Sequence, residues 1–336
     1  MQRQSGSTVT ISFIVPIYNM ESTIAKCLDS ILNQTYYDYE VVLINDGSTD
    51  KSEDICKEYQ ARDTRVVFFS RENRGLSSTY KEGIQRARGE FLIFVDSDDY
   101  VEPNMAEVLF TKQRESDADI VEAGIVYEKT DYSLIRSLIF EERFISDQND
   151  LIFDYFFTGK INKTFAGNLF KKELFNNVEF RPEARSIDIQ TLPYVYSKCN
   201  RFVQISEAFY HAVMSDNSVS RGEISDLMYA DKQLCTQVLD DFFNHIAPQY
   251  VDYMFYRHTI VACDVYEKLL HSANISDREI KKKDCLCEFK KYYKKYISSD
   301  VCKYIERKAR FKILLFRINP RLYSFVINLR KQSLKG

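Results

Sequence analysis

Tryptophan is missing from this 336-residue chain, and glycine, proline and histidine are sparse at 10, 6 and 4 residues. No G-x-G-x-x-G run follows the first apolar stretch, which argues against a dinucleotide-binding dehydrogenase. The 8 cysteines are scattered without a C-x-x-C pair, so with so few histidines no zinc spacing exists. Reduced, partly buried thiols in a cytoplasmic protein are expected. No apolar run approaches the ~18–20 residues that cross a bilayer, and the opening MQRQSGSTVT is too polar for a signal peptide. Internal repeats and low-complexity linkers are also lacking. A net charge of −3 favours neither a nucleic-acid binder nor an acidic tail protein.

What is present is a hydrophobic fraction of 45%, enough for a sizeable core without disulfide staples. The near-balanced charge hides an asymmetry: from Lys281 onward there are 17 Lys and Arg against 4 Asp and Glu. An acidic body with a basic final section implies a partner for that section.

The first hundred residues alternate regularly. ISFIVPIY, YEVVLIND, RVVFFS and FLIFV read as short buried strands. Between them Ile24, Cys27, Leu28, Ile31 and Leu32 recur at helical spacing, and further helices are expected over about 52–62 and 76–87. Strands apolar on both faces that alternate with helices predict a parallel sheet covered on both sides. Right-handed crossovers then bring every strand end to one edge, where open α/β sheets bind ligands. The loops at that edge, PIYNMES, NDGSTD, SRENRGLSS and DSDDY, are all polar. Beyond Pro103 a helix and a further strand (DADIVEAGIVYEK) follow, then a less regular region. From about Asp226 the pattern is helical, with a break near Pro320.

Asp96, Asp98 and Asp99 place three carboxylates within four residues directly after a buried strand. Such a cluster suits a hard divalent cation or a ribose hydroxyl, or is simply an acidic solvated turn. NDGSTD combines a tight turn at Gly47 with helix-capping residues, and by itself is ordinary turn chemistry. Taken together, a sheet edge with an Asp for a base, an Arg for phosphates and a carboxylate–metal pair describes a nucleotide–diphosphate site.

At these residues the chain resembles the inverting, GT-A-fold glycosyltransferases of family 2, of the bacterial surface-polysaccharide type. The resemblance rests on Pro16, Tyr18, Asn19, Glu21, Ser30, Gln34, Glu40 and the run Asn45–Asp50, and continues through Asn73, Gly75, Gly83, Gly89 and DSDD. It implies a GT-A catalytic domain over 1–222, with a nucleotide-sugar half at about 9–103 and an acceptor half at about 104–222. A helical region over 223–336 follows. It also implies roles. Pro16, Tyr18, Asn19 and Asp46 would hold the base, and Glu21 would lie near the ribose. Asn73, Arg74 and Gly75 would sit on the base and phosphate side, and Lys81 would add positive charge. Asp96 and Ser97 would contact the ribose, and Asp96 and Asp98 would hold Mn2+ or Mg2+. The chain departs from the family where Tyr80 and Lys81 replace an Arg-Asn pair.

Inverting transfer needs a second carboxylate, on the acceptor side, to take the attacking hydroxyl's proton. The stretch AGNLFKKELF…ARSIDIQ resembles the family's acceptor segment, with Ala166 where Trp is usual and Ile187–Asp188 where Glu-Asp is usual. By that resemblance Asp188 is the candidate general base. EAFYHAVMSDNSVSR keeps Tyr210 and puts His211 where an aromatic is usual. His211 is a candidate third metal ligand or a structural hydrogen-bonder. Asp216 to Arg221 is expected as a loop near the acceptor. The section from Ala309 onward mixes Lys and Arg with Phe, Leu and Ile, which predicts amphipathic helices either on an anionic membrane face or against the acidic body.

The leading expectation is therefore a metal-dependent transferase that moves a hexose from a nucleotide sugar to a saccharide acceptor. UDP is the expected nucleotide, with a dTDP-deoxysugar as the second choice. The acceptor is expected to be lipid-linked, and the protein peripheral on the inner membrane face. The alternatives are a non-catalytic nucleotide-sugar-binding subunit and a nucleotidyltransferase. The latter would want a Gly-rich, Lys/Arg-bearing loop after the first strand, where PIYNMES stands.

Overall fold

The computed structural model describes residues 9–182, 184–214, 224–272 and 275–333, with side chains to 327. The loop expected at Asp216–Arg221 lies outside the described residues. The chain divides into two compact units, Met1–Tyr155 with Lys160–Ser218, and Phe156–Gly159 with Val219–Gly336.

The first unit opens as β1 (Ile11–Ile17), α1 (Ile24–Leu32), β2 (Tyr39–Asp46), α2 (Ser52–Arg62), β3 (Val66–Arg71), α3 (Leu76–Arg86) and β4 (Phe91–Phe94). Every residue of β1, β2 and β4 is buried, as a sheet covered on both faces requires. Helix α1 buries Ile24, Cys27, Leu28 and Ile31, the stripe its periodicity predicts.

These four strands are parallel, in the spatial order β3-β2-β1-β4. Their register aligns the C-terminal ends: Ile17 lies opposite Asn45, Asp46 opposite Arg71, and Ile14 opposite Phe94. The loops after all four strands therefore emerge at one edge.

The unit continues with β5 (Tyr100–Val101), α4 (Met105–Ser116), β6 (Ile120–Lys129), β7 (Leu134–Leu138), β8 (Arg143–Ile145), α5 (Gln148–Phe153), β9 (Leu169–Lys171), α6 (Ile187–Tyr196) and β10 (Phe202–Met214). Here the sheet departs from the all-parallel expectation. β9 inserts between β4 and β6 and is antiparallel to both. Strands β6 and β10 return to parallel pairing, while β5, β7 and β8 pair antiparallel along their flanks. β9 is only three residues long and lies in the less regular part of the sequence, so it carries no readable period.

The second unit is helical: α7 (Asp226–His245), α8 (Tyr253–His271), α9 (Arg278–Ser298), α10 (Val301–Tyr304), α11 (Arg307–Ile318) and α12 (Pro320–Ser333). Proline at the first position of α12 makes the expected break, because its ring fits a helix start and not a helix interior. Phe156, Phe242, Phe243 and Tyr253 form its aromatic core, with ring centroids 4.7–5.7 Å apart. A cavity of about 200 Å3 in this unit is bordered by His258 and Glu288. His258 is already engaged there, by Asp240 at 2.9 Å, by Glu288 at 2.5 Å and by stacking on Tyr292 at 3.9 Å. All eight cysteines are free, and six of them are buried. Among the described residues no helix is long and apolar enough to cross a membrane.

Candidate active site

The loops after β1 and β2 are bonded to each other. The Asn19 amide donates to Ser48 Oγ at 3.0 Å, and Asn19 Oδ1 accepts from the Thr49 amide at 2.8 Å. The Glu21 amide donates to Asp50 at 3.0 Å, and the Glu21 carboxylate accepts from the Lys51 amide at 3.0 Å. Asn19 takes φ 54°, a left-handed conformation that Asn tolerates. Asn19 and Glu21 thus set the shape of the loop, while Tyr18 next to them is 47% exposed and free to offer its ring.

Asp46, at the end of β2, organises the loop after β3. Its carboxylate accepts from the amides of Arg74 (2.9 Å) and Gly75 (2.8 Å) and pairs with Arg71 at 2.9 Å. Gly75 has φ 85°, which a side chain would strain, and this conformation starts α3. A Cβ on Gly47 would lie 2.7 Å from the Asn73 amide nitrogen, so glycine there lets the two loops meet. Arg74 and Lys81 border an open groove of about 560 Å3 along α3, together with Arg71, Ser78, Glu82 and Arg86. Arg71 and Arg86 are both paired with Glu82. Asn73, Arg74 and Lys81 are exposed.

The acidic turn after β4 divides into three different environments. The buried Asp99 accepts from Tyr210 Oη at 2.6 Å and from the Val213 amide at 2.7 Å, which ties the turn to β10. The half-buried Asp96 accepts one hydrogen bond from Tyr80 Oη at 3.0 Å, and its own amide donates to Tyr210 Oη at 3.0 Å. Asp98 opens to solvent. Burial and the Asp98 charge push Asp96 up to about 6, and desolvation by the surrounding protein also raises Asp98. Ser97 is buried between them.

Asp188 lies in the first turn of α6 and accepts a long bond from the Phe165 amide at 3.3 Å. Burial, and then the negative charge of Asp96, push it up to about 7. The negative charge of Asp96 acts on Asp188, and both act on Tyr80, so the fold holds the two acidic elements, 92 positions apart, close to one another. The adjacent Ile187 is buried in the core, so a glutamate there would have to be desolvated.

Tyr80 is the residue that sequence reasoning passed over. In the sequence it stands out only as a replacement, yet its hydroxyl donates a hydrogen bond to Asp96 and its ring stacks on Phe94 at 5.2 Å. Its spacing of three from Ser77 and of four from Ile84 on the buried face of α3 was the available signal.

His211 is held by other partners. Its Nε2 faces Glu102 at 2.9 Å and its Nδ1 faces Glu128 at 3.1 Å, and its ring stacks on Tyr100 at 4.4 Å. Lys26 then sits over the Tyr100 ring (3.5 Å) and the Tyr132 ring (3.3 Å). Both ring nitrogens are thus engaged, and one pair would have to open before His211 could ligate a metal. Among the described residues no group of three His, Cys, Asp or Glu is arranged to hold a metal by itself.

Comparison with known proteins places this arrangement. A family model described as glycosyl transferase family 2 matches residues 12–178. Glycosyltransferase GlyG of Streptococcus pneumoniae is 36% identical over 228 residues, covering 66% of this chain and 75% of GlyG. The chain belongs to glycosyl transferase family 2. Glycosyltransferase GlyA of the same organism is 33% identical over 231 residues, again 66% of this chain, but the match spans only 33% of GlyA. In fold, residues 1–349 of S. aureus TarS, crystallised in complex with UDP-GlcNAc, superpose with a TM-score of 0.67 at 18% identity. That match covers 96% of this chain and 92% of the TarS fragment. The mixed sheet followed by C-terminal helices is therefore a fold this chain shares with the TarS fragment.

Proposed function

We propose that this family 2 member transfers a hexose from a nucleotide-diphosphate sugar, with UDP as the nucleotide, to a saccharide acceptor by a single inverting displacement. The observation that carries this reading is that the fold holds Asp96, hydrogen-bonded by Tyr80, close to Asp188 from the acceptor half, with Asp98 beside Asp96 in the same acidic turn. The UDP-GlcNAc complex of the TarS fragment supports the donor class. In this reading residues 1–222 form the catalytic domain and 223–336 a helical region.

The donor set fits a hard divalent ion. Two carboxylates, Asp96 and Asp98, are the ligands Mg2+ or Mn2+ takes when phosphates and water complete its shell. Such an ion, when bound, neutralises the diphosphate leaving group. The chain's own residues do the rest. The loops joined by Asn19, Glu21 and Asp46 form the seat for the base and ribose, with Pro16 and Tyr18 on one side and Asn73 and Gly75 on the other. Ser97, buried between Asp96 and Asp98, lies on the ribose side. Arg74 and Lys81 supply positive charge to the phosphate side. Tyr80 orients Asp96 by hydrogen bonding one oxygen and leaving the other free. His211 fixes Tyr100, the residue after the acidic turn, and acts as a positioning residue. Asp188 accepts the acceptor hydroxyl's proton as the new glycosidic bond forms and the bond to the nucleotide breaks. A carboxylate raised to about 7 is well matched to that task near neutral pH. A lipid-linked saccharide is the acceptor class this reading favours.

The test is a thermal-shift screen of nucleotide sugars with and without Mn2+, since a ligand that binds only the folded state raises Tm by mass action. A UDP-sugar that stabilises the wild type only with Mn2+, and fails to stabilise Asp98→Ala, is expected. Stabilisation of both proteins alike would put the donor elsewhere.

A further inference from the structure

Helix α11 is apolar on two opposite faces. One face is inside the protein: Ile313 and Phe316 are each 1% exposed, and Phe316 packs on Phe289 (4.8 Å), Tyr266 (5.3 Å) and Tyr323 (5.4 Å). The other consists of Phe311, Leu314 and Ile318, spaced i, i+3 and i+7, and these are 58%, 49% and 68% exposed. Helix α12 repeats the arrangement, burying Tyr323 while Leu322 and Phe325 stay 43% and 62% exposed. Core packing therefore accounts for three of these eight large apolar residues and leaves five exposed.

The charges beside the exposed face are all of one sign. Arg307, Lys308, Arg310, Lys312, Arg317 and Arg321 lie along α11 and the start of α12, and no Asp or Glu occurs after Glu306. At 100° per residue, Arg307 extends the stripe at its N-terminal end, Arg310 and Arg317 flank one side, and Lys308 and, farther round, Lys312 lie on the other. An apolar stripe with basic rims matches a surface that is apolar inside and anionic outside, which is the interface of an anionic bilayer. A second copy of the chain fits worse, because an isologous contact would set each basic rim against the same rim.

We infer that the exposed face of α11 and α12 docks on anionic lipid, with Phe311, Leu314, Ile318, Leu322 and Phe325 inserted among the acyl chains and the basic residues at the phosphate level. The helices lie in the plane of the interface and do not cross it. This inference stands on the helical unit alone and is independent of the proposed reaction.

The absence of tryptophan from the chain supplies a clean reporter. The full-length Phe325→Trp protein is mixed with vesicles of phosphatidylcholine alone or with about one third phosphatidylglycerol, and both emission and flotation are read. A blue shift and flotation with the anionic vesicles, at least tenfold weaker with neutral ones, are expected. The triple change Phe311→Ser, Leu314→Ser and Ile318→Ser should weaken flotation at least tenfold. Lys308→Glu with Arg321→Glu should do so only where anionic lipid is present. Failure of the wild type to float, equal flotation of wild type and variants, or a blue shift without vesicles that tracks dimer formation in sedimentation would each overturn the inference.

Discussion

The parallel sheet carries carboxylates at both of its edges and treats them in opposite ways. At the edge where the strands begin, the buried Glu40 accepts from Ser12 Oγ at 2.7 Å and from the Arg88 amide at 2.6 Å, and it pairs with the Arg88 guanidinium at 2.7 Å. At the edge where the strands end, the Asp96 carboxylate accepts from Tyr80, Asp188 accepts a long bond from the Phe165 amide, and among the described residues Asp98 makes no ion pair. A carboxylate whose bonds are all made holds the fold together. One left short of positive charge costs stability and is ready to take a cation or a proton. Both kinds come from residues that resemble the family pattern, so the pattern alone does not tell them apart.

The sharpest way to break this contrast is to mutate both edges. Asp98→Ala should lower sugar transfer by about 10³-fold, the scale of losing a positioned electrostatic group, with Tm unchanged or raised. Glu40→Ala should do the reverse. It should cost about 2–3 kcal/mol of stability by orphaning buried donors, while kcat of the folded fraction stays within about twofold. Urea melts read beside initial rates decide it, and a large kcat loss in Glu40→Ala would end the distinction.

Asp188→Asn sharpens the comparison through pH. Transfer should fall about 10²-fold, the range for a lost general base. The wild-type rate should climb as pH rises toward about 7, because Asp188 must be ionised to accept the proton, and this limb should vanish in the variant. Stability moves the other way. An acid whose folded pKa lies above its unfolded value destabilises the fold once it ionises, so the cost is absent at low pH and complete above about 7. Asp188→Asn should therefore be more stable than wild type at pH 8, by on the order of 2 kcal/mol. Most of that gap should close by pH 5. A variant less stable than wild type at pH 8 would assign Asp188 to the structural class.

The smallest effect is expected from Tyr80→Phe, which removes the Tyr80 hydrogen bond to the Asp96 carboxylate while keeping the ring stacked on Phe94. Losing one such bond is worth about 1 kcal/mol, so transfer should fall roughly five- to tenfold and a higher Mn2+ concentration should be needed for half-maximal rate. An unchanged Mn2+ requirement would separate Tyr80 from the ion site.

How far the sequence could be read follows from the range of the forces involved. The four parallel strands, their helices and their common edge were legible, because continuous apolar runs and 3.6-residue periods are local signals. The antiparallel β9 was not, since a three-residue strand has no period to detect. Asp46 was legible as a site residue, but not its bonds to the amides of Arg74 and Gly75 nearly thirty positions away. His211 was legible as unusual, yet its engagement by Glu102 and Glu128 depends on strands brought together only by the sheet.

Which residues are carboxylates, and that a run of them follows the fourth strand, belongs to the sequence alone. The basic final section, with no acid after Glu306, belongs to it as well, because composition and local spacing need no neighbours in space. Which of those carboxylates are satisfied and which stay strained was decided only by the tertiary structure. The charge state of an acid is set by what lies within a few ångströms of it, and for Asp96 the Tyr80 hydroxyl and the Tyr210 hydroxyl that fixes its backbone come from 16 and 114 positions away along the chain.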